Sequence, residues 1–201
     1  ILTADSCSKN YTNEGGIEGT TRSLKNITGM WLLAQSRKCG AREGRNYTYA
    51  QIEEMAHKEK DFPSTVDPAD PRFANPDNMV EAIKAYCREH GLPAPADDAQ
   101  LVSCIYHSLA AKYKSVIEAL QEMAPFSIDK RHIMGGGSMN KTMNQLTADT
   151  IGMPVVAGPS EATAIGNAMI QAQAAGLYKD RWEMRAAVAR TTGTLTYMPR
   201  K

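Results

Sequence analysis

The sequence contains no long hydrophobic run, because none of its apolar stretches approaches the ~18 residues that a membrane-spanning helix needs. It also has little excess of either charge: 23 Lys and Arg residues stand against 22 Asp and Glu residues, which leaves a formal net charge of +1. Evenly spread, balanced charge gives no reason to expect a nucleic-acid partner, and the lack of a span gives none to expect a membrane. We therefore expect the partners of this chain to be small molecules.

Cysteine is scarce as well, with four residues in 201, and no two of them have the C-x-x-C spacing typical of zinc sites. Four cysteines are too few for a disulfide-based scaffold, so their number favours the reducing cytoplasm. Cys87 and Cys104 are expected near the facing ends of two consecutive helices. They either face each other across that hairpin or are two separate small buried residues, and their redox state stays open.

An initial methionine and a charged-then-apolar leader are both missing, since the chain begins Ile1-Leu2-Thr3. We interpret this start as that of a piece taken from a longer chain. With 201 residues, of which 42% are hydrophobic, the chain is long enough to bury a core as one domain with an appendage.

The most informative stretch is a run of three glycines, Gly135 to Gly137, between a short apolar run and a helical pattern. Met139, Met143 and Leu146 have the spacing of one helical face, which predicts a strand, a tight loop and a helix that begins near Ser138. Glycines let a flat ligand lie against the backbone, and the helix points unpaired N–H groups at the loop. The stretch suits a nucleotide, and a plain tight turn is an equal alternative.

After this stretch the sequence predicts a second short strand at residues 153–158, parallel to the first. A helix rich in small residues opens at Pro159, and its alanine surface is expected to pack closely against another element. A last helix is predicted from Asp180 to Arg190 and a terminal strand from Thr194 to Met198.

Before the glycines, the pattern predicts a strand end at Tyr11–Glu14 and several helices. The predicted helices run from Thr21 to Arg37, from Tyr49 to Lys58, from Asp77 to His90, and from Asp97 or Asp98 to Met123. The last is expected to be the central buried helix. Four prolines in residues 62–76 predict an extended loop. Its apolar residues Phe62, Val66 and Phe73 are expected to anchor it to the rest of the protein.

Several blocks together resemble the C-terminal half of FGGY-family carbohydrate kinases. These are Thr12-Asn13-Glu14-Gly15-Gly16, the run from Leu24 to Leu33 (LKNITGMWLL), the run from His132 to Ser138 (HIMGGGS), residues 144–149 (NQLTAD) and residues 154–167 (PVVAGPSEATAIGN). The resemblance covers nearly the whole chain with its blocks in the family's order. It is strongest to the members that phosphorylate L-rhamnulose.

The resemblance implies an α/β fold of the RNase H-like, actin-like ATPase kind, truncated at its N-terminal strands and carrying a helical insertion. Residues 1–201 are then an incomplete C-terminal nucleotide-binding domain, with a helical subdomain at roughly residues 45–125. It further implies that ATP binds in the cleft between two such domains together with Mg²⁺. The expected partners are the sugar substrate and the N-terminal domain of the parent chain.

The resemblance also implies site residues. Gly136 and Asn140, flanked by Gly135 and Gly137, are expected to contact the nucleotide. The Asn of the Lys-Asn-Ile block, here Asn26, is expected to contact the sugar; from the residues alone it reads as a mid-helix Asn.

A glutamine that directly follows Trp-Leu-Leu contacts nucleotide in this family, but here Ala34 stands at that position and Gln35 follows it. One residue is about 100° around a helix, so Gln35 takes over the contact only with a local shift.

The function implied is ATP-dependent phosphorylation of L-rhamnulose to L-rhamnulose 1-phosphate. The family's general base and phosphate loop belong to a block before Ile1, so we assign no catalytic residue and expect the segment alone to be inactive. Asp149 is expected to have a capping or surface role.

Two other readings stay open. A sibling kinase acting on L-fuculose or xylulose is disfavoured by Asn13-Glu14-Gly15-Gly16, and a non-catalytic actin-like nucleotide-binding module is separated from a kinase only by upstream sequence. A dinucleotide-dependent oxidoreductase is disfavoured because its third glycine and following acidic residue are not in place. Sugar specificity and oligomeric state are not determined by the sequence.

Overall fold

The computed structural model describes residues 1–200, and the chain divides into two compact units, Ile1–Ser127 and Ile128–Lys201. The first unit has the helices α1 (Ala4–Ser8), α2 (Trp31–Arg42), α3 (Tyr49–Lys58), α4 (Met79–Glu89) and α5 (Asp98–Met123), and the strands β1 (Thr12–Gly15) and β2 (Thr21–Leu24). The second has the strands β3 (Arg131–Ile133), β4 (Val155–Ala157) and β5 (Leu195–Tyr197), and the helices α6 (Lys141–Ile151), α7 (Ala162–Ala174) and α8 (Arg181–Thr191). The chain is thus a mixed α/β protein.

The core of the first unit lies where α5 meets α3, and α2 meets α4. The buried positions of α5 are confined to its first half, from Leu101 to Ala110, which confirms this helix as central over that half only. The large fully buried side chains of the first unit include Leu32, Ile52, Phe73, Met79, Ile83, Ile105, Tyr106 and Leu109. Burial of such side chains stabilises the unit by about 1.5–3 kcal/mol each before the entropy cost.

Local capping signals set the helix starts in this unit. Thr48 forms a capping box with Gln51, so α3 begins at the predicted residue. The side chain of Asp97 accepts a hydrogen bond from the Gln100 N–H, which confirms the predicted start of α5. The predicted cap Asp77 is wrong by one residue, because Asn78 accepts from the N–H groups at positions 80 and 81 and α4 begins after it.

The predicted helix from Thr21 to Arg37 is wrong in its first half. Residues 21–24 form β2, which pairs antiparallel with β1 so that Thr12 faces Leu24 and Gly15 faces Thr21. Helix α2 begins only at Trp31 and extends past the predicted end at Arg37 to Arg42, with the buried Gly40 inside it. A strand partner elsewhere in the chain decides the structure of residues 21–24, and periodicity within the segment does not report that partner.

The proline-rich loop at residues 62–76 is confirmed as irregular, with one 3-10 turn at Pro71–Phe73. Val66 and Phe73 are buried, whereas Phe62 is only half-buried. The Val66 N–H donates to the Ser108 hydroxyl at 2.8 Å, which fixes the loop to α5.

The second unit is built on a sheet with the order β3-β4-β5. Strands β3 and β4 are parallel, as predicted, with Arg131 opposite Val155, and β5 is antiparallel to β4. Helix α6 connects the two parallel strands and buries Met143, Thr147 and Ala148. The predicted last helix and terminal strand are confirmed as α8 and β5.

Gly158 allows two backbones to approach closely at the end of β4. Its φ is +112°, and a Cβ there would lie 2.9 Å from the carbonyl oxygen of Gly193. A side chain at this position would therefore force the segment that enters β5 to move.

The expected close packing of the alanine-rich helix is wrong for the described residues. No residue of α7 is buried, although the helix contacts α8. Ile170 on α7 and Leu177 just beyond it are exposed to 39% and 70%. Small residues permit close packing, but they do not by themselves specify a partner.

None of the helices within residues 1–200 combines the length and the apolarity that crossing a bilayer requires.

Cys87 and Cys104 meet between α4 and α5. Both side chains are fully buried and both cysteines are free, and their thiols lie close enough to influence each other's pKa. Burial raises the pKa of Cys87, and burial together with the neighbouring Cys87 raises the pKa of Cys104 to about 12. Both thiols are therefore protonated at neutral pH, and the unreactive form predominates.

We expect Cys7, the exposed cysteine, to react alone when the native chain is treated with iodoacetamide in reducing-agent-free buffer after prior reduction. Cys39, Cys87 and Cys104 are buried and should label only after denaturant is added. Mass spectrometry of the labelled peptides measures this, and Cys7→Ser should abolish the fast reaction. Labelling of Cys87 or Cys104 at the rate of Cys7 without denaturant would contradict the structure.

Candidate functional site

The glycine loop, residues 135–137, follows β3 and lies directly beside the segment that follows β4. Gly135 has φ +77° and ψ −164°, a conformation open to glycine and strained for other residues. Its N–H donates to the Pro159 carbonyl at 3.1 Å, and the Gly158 N–H donates to the Ile133 carbonyl at 2.8 Å. The two loops are therefore joined by hydrogen bonds at the same edge of the sheet.

The chain then makes a 3-10 turn over Gly136–Met139 before α6 begins at Lys141. The Ser138 N–H and hydroxyl both donate to the Gly135 carbonyl, at 3.0 and 2.7 Å. The prediction that the helix begins near Ser138 is thus wrong by three residues, because the turn takes up residues 136–139 first.

Asn140 is the N-cap of α6, and its Oδ1 accepts a hydrogen bond from the Met143 N–H at 2.8 Å. This satisfies one of the amide groups that every helix start leaves without an intrahelical partner. Asn140 is half-buried, so it has both this structural role and a surface toward solvent. The sequence-predicted residues Gly135, Gly136, Gly137 and Asn140 lie together around one turn.

The outer surface of this turn is open. A Cβ at Gly136 would meet no atom within 4 Å, and its φ is not left-handed. Met134 and Met139 on either side are exposed to 60% and 70%, so the prediction of Met139 as part of an apolar helix face is wrong. A flat apolar ring can lie against such glycine backbone and polarisable thioethers.

Asn144 supports the turn from below, and sequence reasoning did not single it out. Its side chain is fully buried, and its Nδ2 donates to the Ser138 carbonyl at 2.9 Å. Its Oδ1 is buried without a hydrogen-bond partner in the described part of the chain. The available signal was the spacing Asn140-x-x-x-Asn144, which puts both amides on one face of the first helical turn.

Asp149 joins α6 to the end of the chain. Its carboxylate accepts hydrogen bonds from the Arg200 N–H at 2.8 Å, from the Arg200 side chain at 2.7 Å and from Gln145 Nε2 at 2.8 Å. Burial raises the pKa of Asp149, but these hydrogen bonds outweigh it and hold the pKa below its usual value. Asp149 lies near the C-terminal end of α6, so it is not an N-cap, and its ion pair with Arg200 gives it a structural role.

Asn26 and Gln35 belong to the first unit. Asn26 is exposed in the loop between β2 and α2, so its prediction as a mid-helix residue is wrong. The neighbouring Lys25 lies over the ring of Tyr11 at 5.0 Å and donates to the Lys9 carbonyl, which anchors the loop next to Asn26.

Ala34 and Gln35, in the first turns of α2, differ in exposure and in the direction of their side chains. Leu32 and Leu33 are buried, Ala34 is exposed and Gln35 is half-buried. Position 34, where a glutamine was expected, is thus the outward-facing position, and Gln35 faces a different direction around the helix.

No group of three or more His, Cys, Asp and Glu side chains that could hold a metal ion occurs within residues 1–200. A divalent ion at this site would have to take most of its ligands from a bound molecule or from groups outside these residues.

Comparison with known proteins gives consistent results. Residues 1–175 match the C-terminal domain model of the FGGY family of carbohydrate kinases. A rhamnulokinase of Bacteroides thetaiotaomicron is 47% identical over 199 residues, which is 99% of this chain and 40% of that protein. Rhamnulokinases of Pectobacterium carotovorum and Bacillus subtilis are 44% and 38% identical, over 95% and 100% of this chain and 38% and 41% of those proteins.

The chain therefore spans about 40% of the length of the curated relatives it matches. Among solved structures, a xylulose kinase from Rhodospirillum rubrum is similar with a TM-score of 0.58 and 18% identity, covering 90% of this chain and 35% of that one. At this identity the likeness concerns the fold alone.

We expect Asn144→Asp to destabilise the protein more than Asn144→Leu does. Leucine removes the donor to the Ser138 carbonyl, at a cost of roughly 1–3 kcal/mol for a buried acceptor left unpaired. Aspartate also places a second acceptor against that carbonyl in a buried site, which costs more. Urea unfolding measures both, with Lys141→Leu on the exposed side of α6 as the control. Equal midpoints for the Asp and Leu variants would contradict a donor role for Asn144.

Proposed function

The chain belongs to the FGGY family of carbohydrate kinases, and we propose that it is the C-terminal, nucleotide-binding part of an ATP-dependent kinase for L-rhamnulose. The observation that carries this proposal is the identity of 38–47% to rhamnulokinases over 95–100% of this chain. The product would be L-rhamnulose 1-phosphate, formed when the primary hydroxyl of the sugar attacks the γ-phosphate. The likeness to a xylulose kinase is one of fold, so it favours no second substrate.

The fold we propose in detail is an incomplete RNase H-like, actin-like ATPase domain, truncated at its N-terminal strands. The position of β3 at the edge of the three-stranded sheet supports this, since within residues 1–200 it has a strand neighbour on one side only. Residues 45–125 form the proposed helical subdomain, which is supported by α3, α4 and α5 in that range.

The proposed nucleotide site is the turn formed by Gly135, Gly136, Gly137 and Asn140. Its support is the open surface over Gly136, which leaves space for an adenosine group against bare backbone. Asn140 keeps the start of α6 in place, and its side chain is only half-buried. Gln35 is a second candidate for nucleotide contact. It is the weaker one because it lies one residue after position 34, where the family has its glutamine.

The proposed sugar contact is Asn26, whose exposed amide can hydrogen-bond a neutral hydroxyl. Mg²⁺ would neutralise charge on the phosphates of ATP and would take its ligands mainly from them. The general base and the phosphate loop are assigned to the block just before Ile1, so these residues alone would be inactive. The N-terminal domain of the parent chain is the main proposed partner. The free cysteines support a cytoplasmic location.

We expect Gly136→Val to weaken ATP binding at least tenfold in the full-length parent protein, with sugar binding nearly unchanged. The added side chain would occupy the space over the turn, and because no strained φ is involved the fold should tolerate it. Calorimetric titration with ATP and with sugar measures both affinities.

The matched control for this variant is Gly166→Val on α7, where a Cβ also meets no atom within 4 Å. The control should bind ATP like the unmodified protein. Unchanged ATP affinity in Gly136→Val would reduce the glycines to a plain tight turn.

We expect the parent protein to phosphorylate L-rhamnulose in preference to L-fuculose and xylulose, and Asn26→Ala to raise the KM for the preferred sugar. The loss of one hydrogen bond to a neutral hydroxyl costs roughly 0.5–1.5 kcal/mol, or about 2- to 12-fold in KM. Steady-state kinetics with varied sugar and varied ATP measure this, and the KM for ATP should change little.

A preference for another ketose would overturn the substrate assignment. An unchanged sugar KM in Asn26→Ala would overturn the contact alone. Asn75→Ala, at an exposed loop residue of the first unit, serves as the surface control.

A further inference from the structure

A cavity of about 340 Å³ lies within the first unit between α2, α3 and α5. Its inner wall is apolar and consists of residues that are at most 6% exposed, namely Leu33, Ile52, Leu101, Val102 and Ile105. Neither Asn26 nor Gln35 lines it, whereas Ala34, the position at which the family's glutamine was expected, does. At liquid density it would hold roughly ten water molecules, which the apolar wall cannot hydrogen-bond.

One polar group of the wall has no partner. Ser36 is 7% exposed, and its hydroxyl is buried without a hydrogen-bond partner within residues 1–200. A serine inside a helix commonly donates to the carbonyl four residues earlier, and this one does not. A buried hydroxyl left unpaired is unfavourable, so a ligand atom that accepts its hydrogen would be favoured there.

The rim of the cavity is held in a fixed arrangement. Arg45 lies between two carboxylates, with its Nε 2.8 Å from Asp98 and its Nη1 2.6 Å from Glu43. The hydroxyl of Tyr47 donates to the same Asp98 carboxylate at 2.8 Å. The hydrogen bond to Glu43 and the charge of Asp98 raise the pKa of Arg45, so its guanidinium stays charged. A rim held in this way needs little reorganisation when a ligand enters.

The charge at the rim is positive. Arg37, Lys38 and Arg45 line the cavity, whereas Asp98 is the one acidic residue that lines it. The carboxylates of Asp98 and Glu43 compensate the positive charge of Arg45. Arg37 instead donates to the Tyr47 carbonyl at 2.9 Å and lies over the Tyr49 ring, and Lys38 lies over the Trp31 ring. Arg37 and Lys38 therefore contribute positive charge to the opening that no carboxylate in the lining balances.

We propose that this cavity binds a small molecule with a compact apolar body and a single carboxylate. Its volume is near the lower end for ligand sites, and an apolar wall with a few fixed polar groups is typical of them. The body would displace water from the wall of Leu33, Ile52 and Ile105. The carboxylate would lie near Arg37 and Lys38, and one of its oxygens would accept the hydrogen of the Ser36 hydroxyl.

The experiment is calorimetric titration of the full-length parent protein with 3-phenylpropionate, whose ring and single carboxylate match this description. Its neutral analogue 3-phenylpropionamide is titrated in parallel. We expect saturable binding of the acid with one site per chain, and binding of the amide that is weaker by roughly 2- to 5-fold, the size of a screened surface charge interaction. The readout does not require kinase activity, so it is independent of the proposed function.

Three variants locate the site. Ala41→Leu extends an exposed residue of the lining into the opening and should abolish binding. Ser36→Ala should weaken it roughly 2- to 12-fold through the lost hydrogen bond. Ala50→Leu makes the matched change at an exposed alanine of α3 outside the lining and should leave binding unchanged.

Each outcome supports or overturns the proposal. Binding that Ala41→Leu abolishes and Ala50→Leu preserves supports it, provided that both variants unfold at the midpoint of the unmodified protein. No saturable binding of 3-phenylpropionate at millimolar concentration overturns it, and so does binding that both leucine variants leave unchanged. Equal affinity for acid and amide overturns the carboxylate specificity.

Discussion

The parallel pairing of β3 with β4 is the constraint on which the candidate nucleotide site depends. Parallel strands end at the same edge of a sheet, so the glycine loop after β3 and the segment after β4 are brought side by side. The hydrogen bonds from Gly135 to Pro159 and from Gly158 to Ile133 then fix each loop against the other. The position of the turn is thus set by backbone groups of the sheet and its extensions, and side chains refine it.

Two asparagines complete this arrangement from α6. Asn140 caps the helix, and Asn144, one turn later, holds the Ser138 carbonyl of the 3-10 turn. An amide side chain suits both tasks because it supplies a donor and an acceptor without charge. The outer face of the turn stays open at Gly136, where a Cβ would meet no atom within 4 Å.

The sequence predicts the elements whose signals are local. The start of α3 at its capping box, the start of α5 at Asp97, and the strand–turn–helix–strand order around the glycines all depend on neighbouring residues. It does not predict β2, whose strand conformation depends on pairing with β1, and so it misplaces Asn26. Asn144 is missed for a similar reason, since its role appears only when the turn folds back over α6. Which of the glycine residues meets open space also depends on the fold.

Two glycines of the second unit have different surroundings, and the difference separates two kinds of selection. At Gly158 a Cβ would lie 2.9 Å from the Gly193 carbonyl, so replacement there is penalised by folding, whatever the protein binds. At Gly136 a Cβ meets nothing within 4 Å, so the fold exerts no preference for glycine. Under the proposed function, the constraint on Gly136 comes from what the protein binds. The substitutions that related proteins tolerate at Gly158 and at Gly136 would then distinguish selection for folding stability from selection for ligand binding.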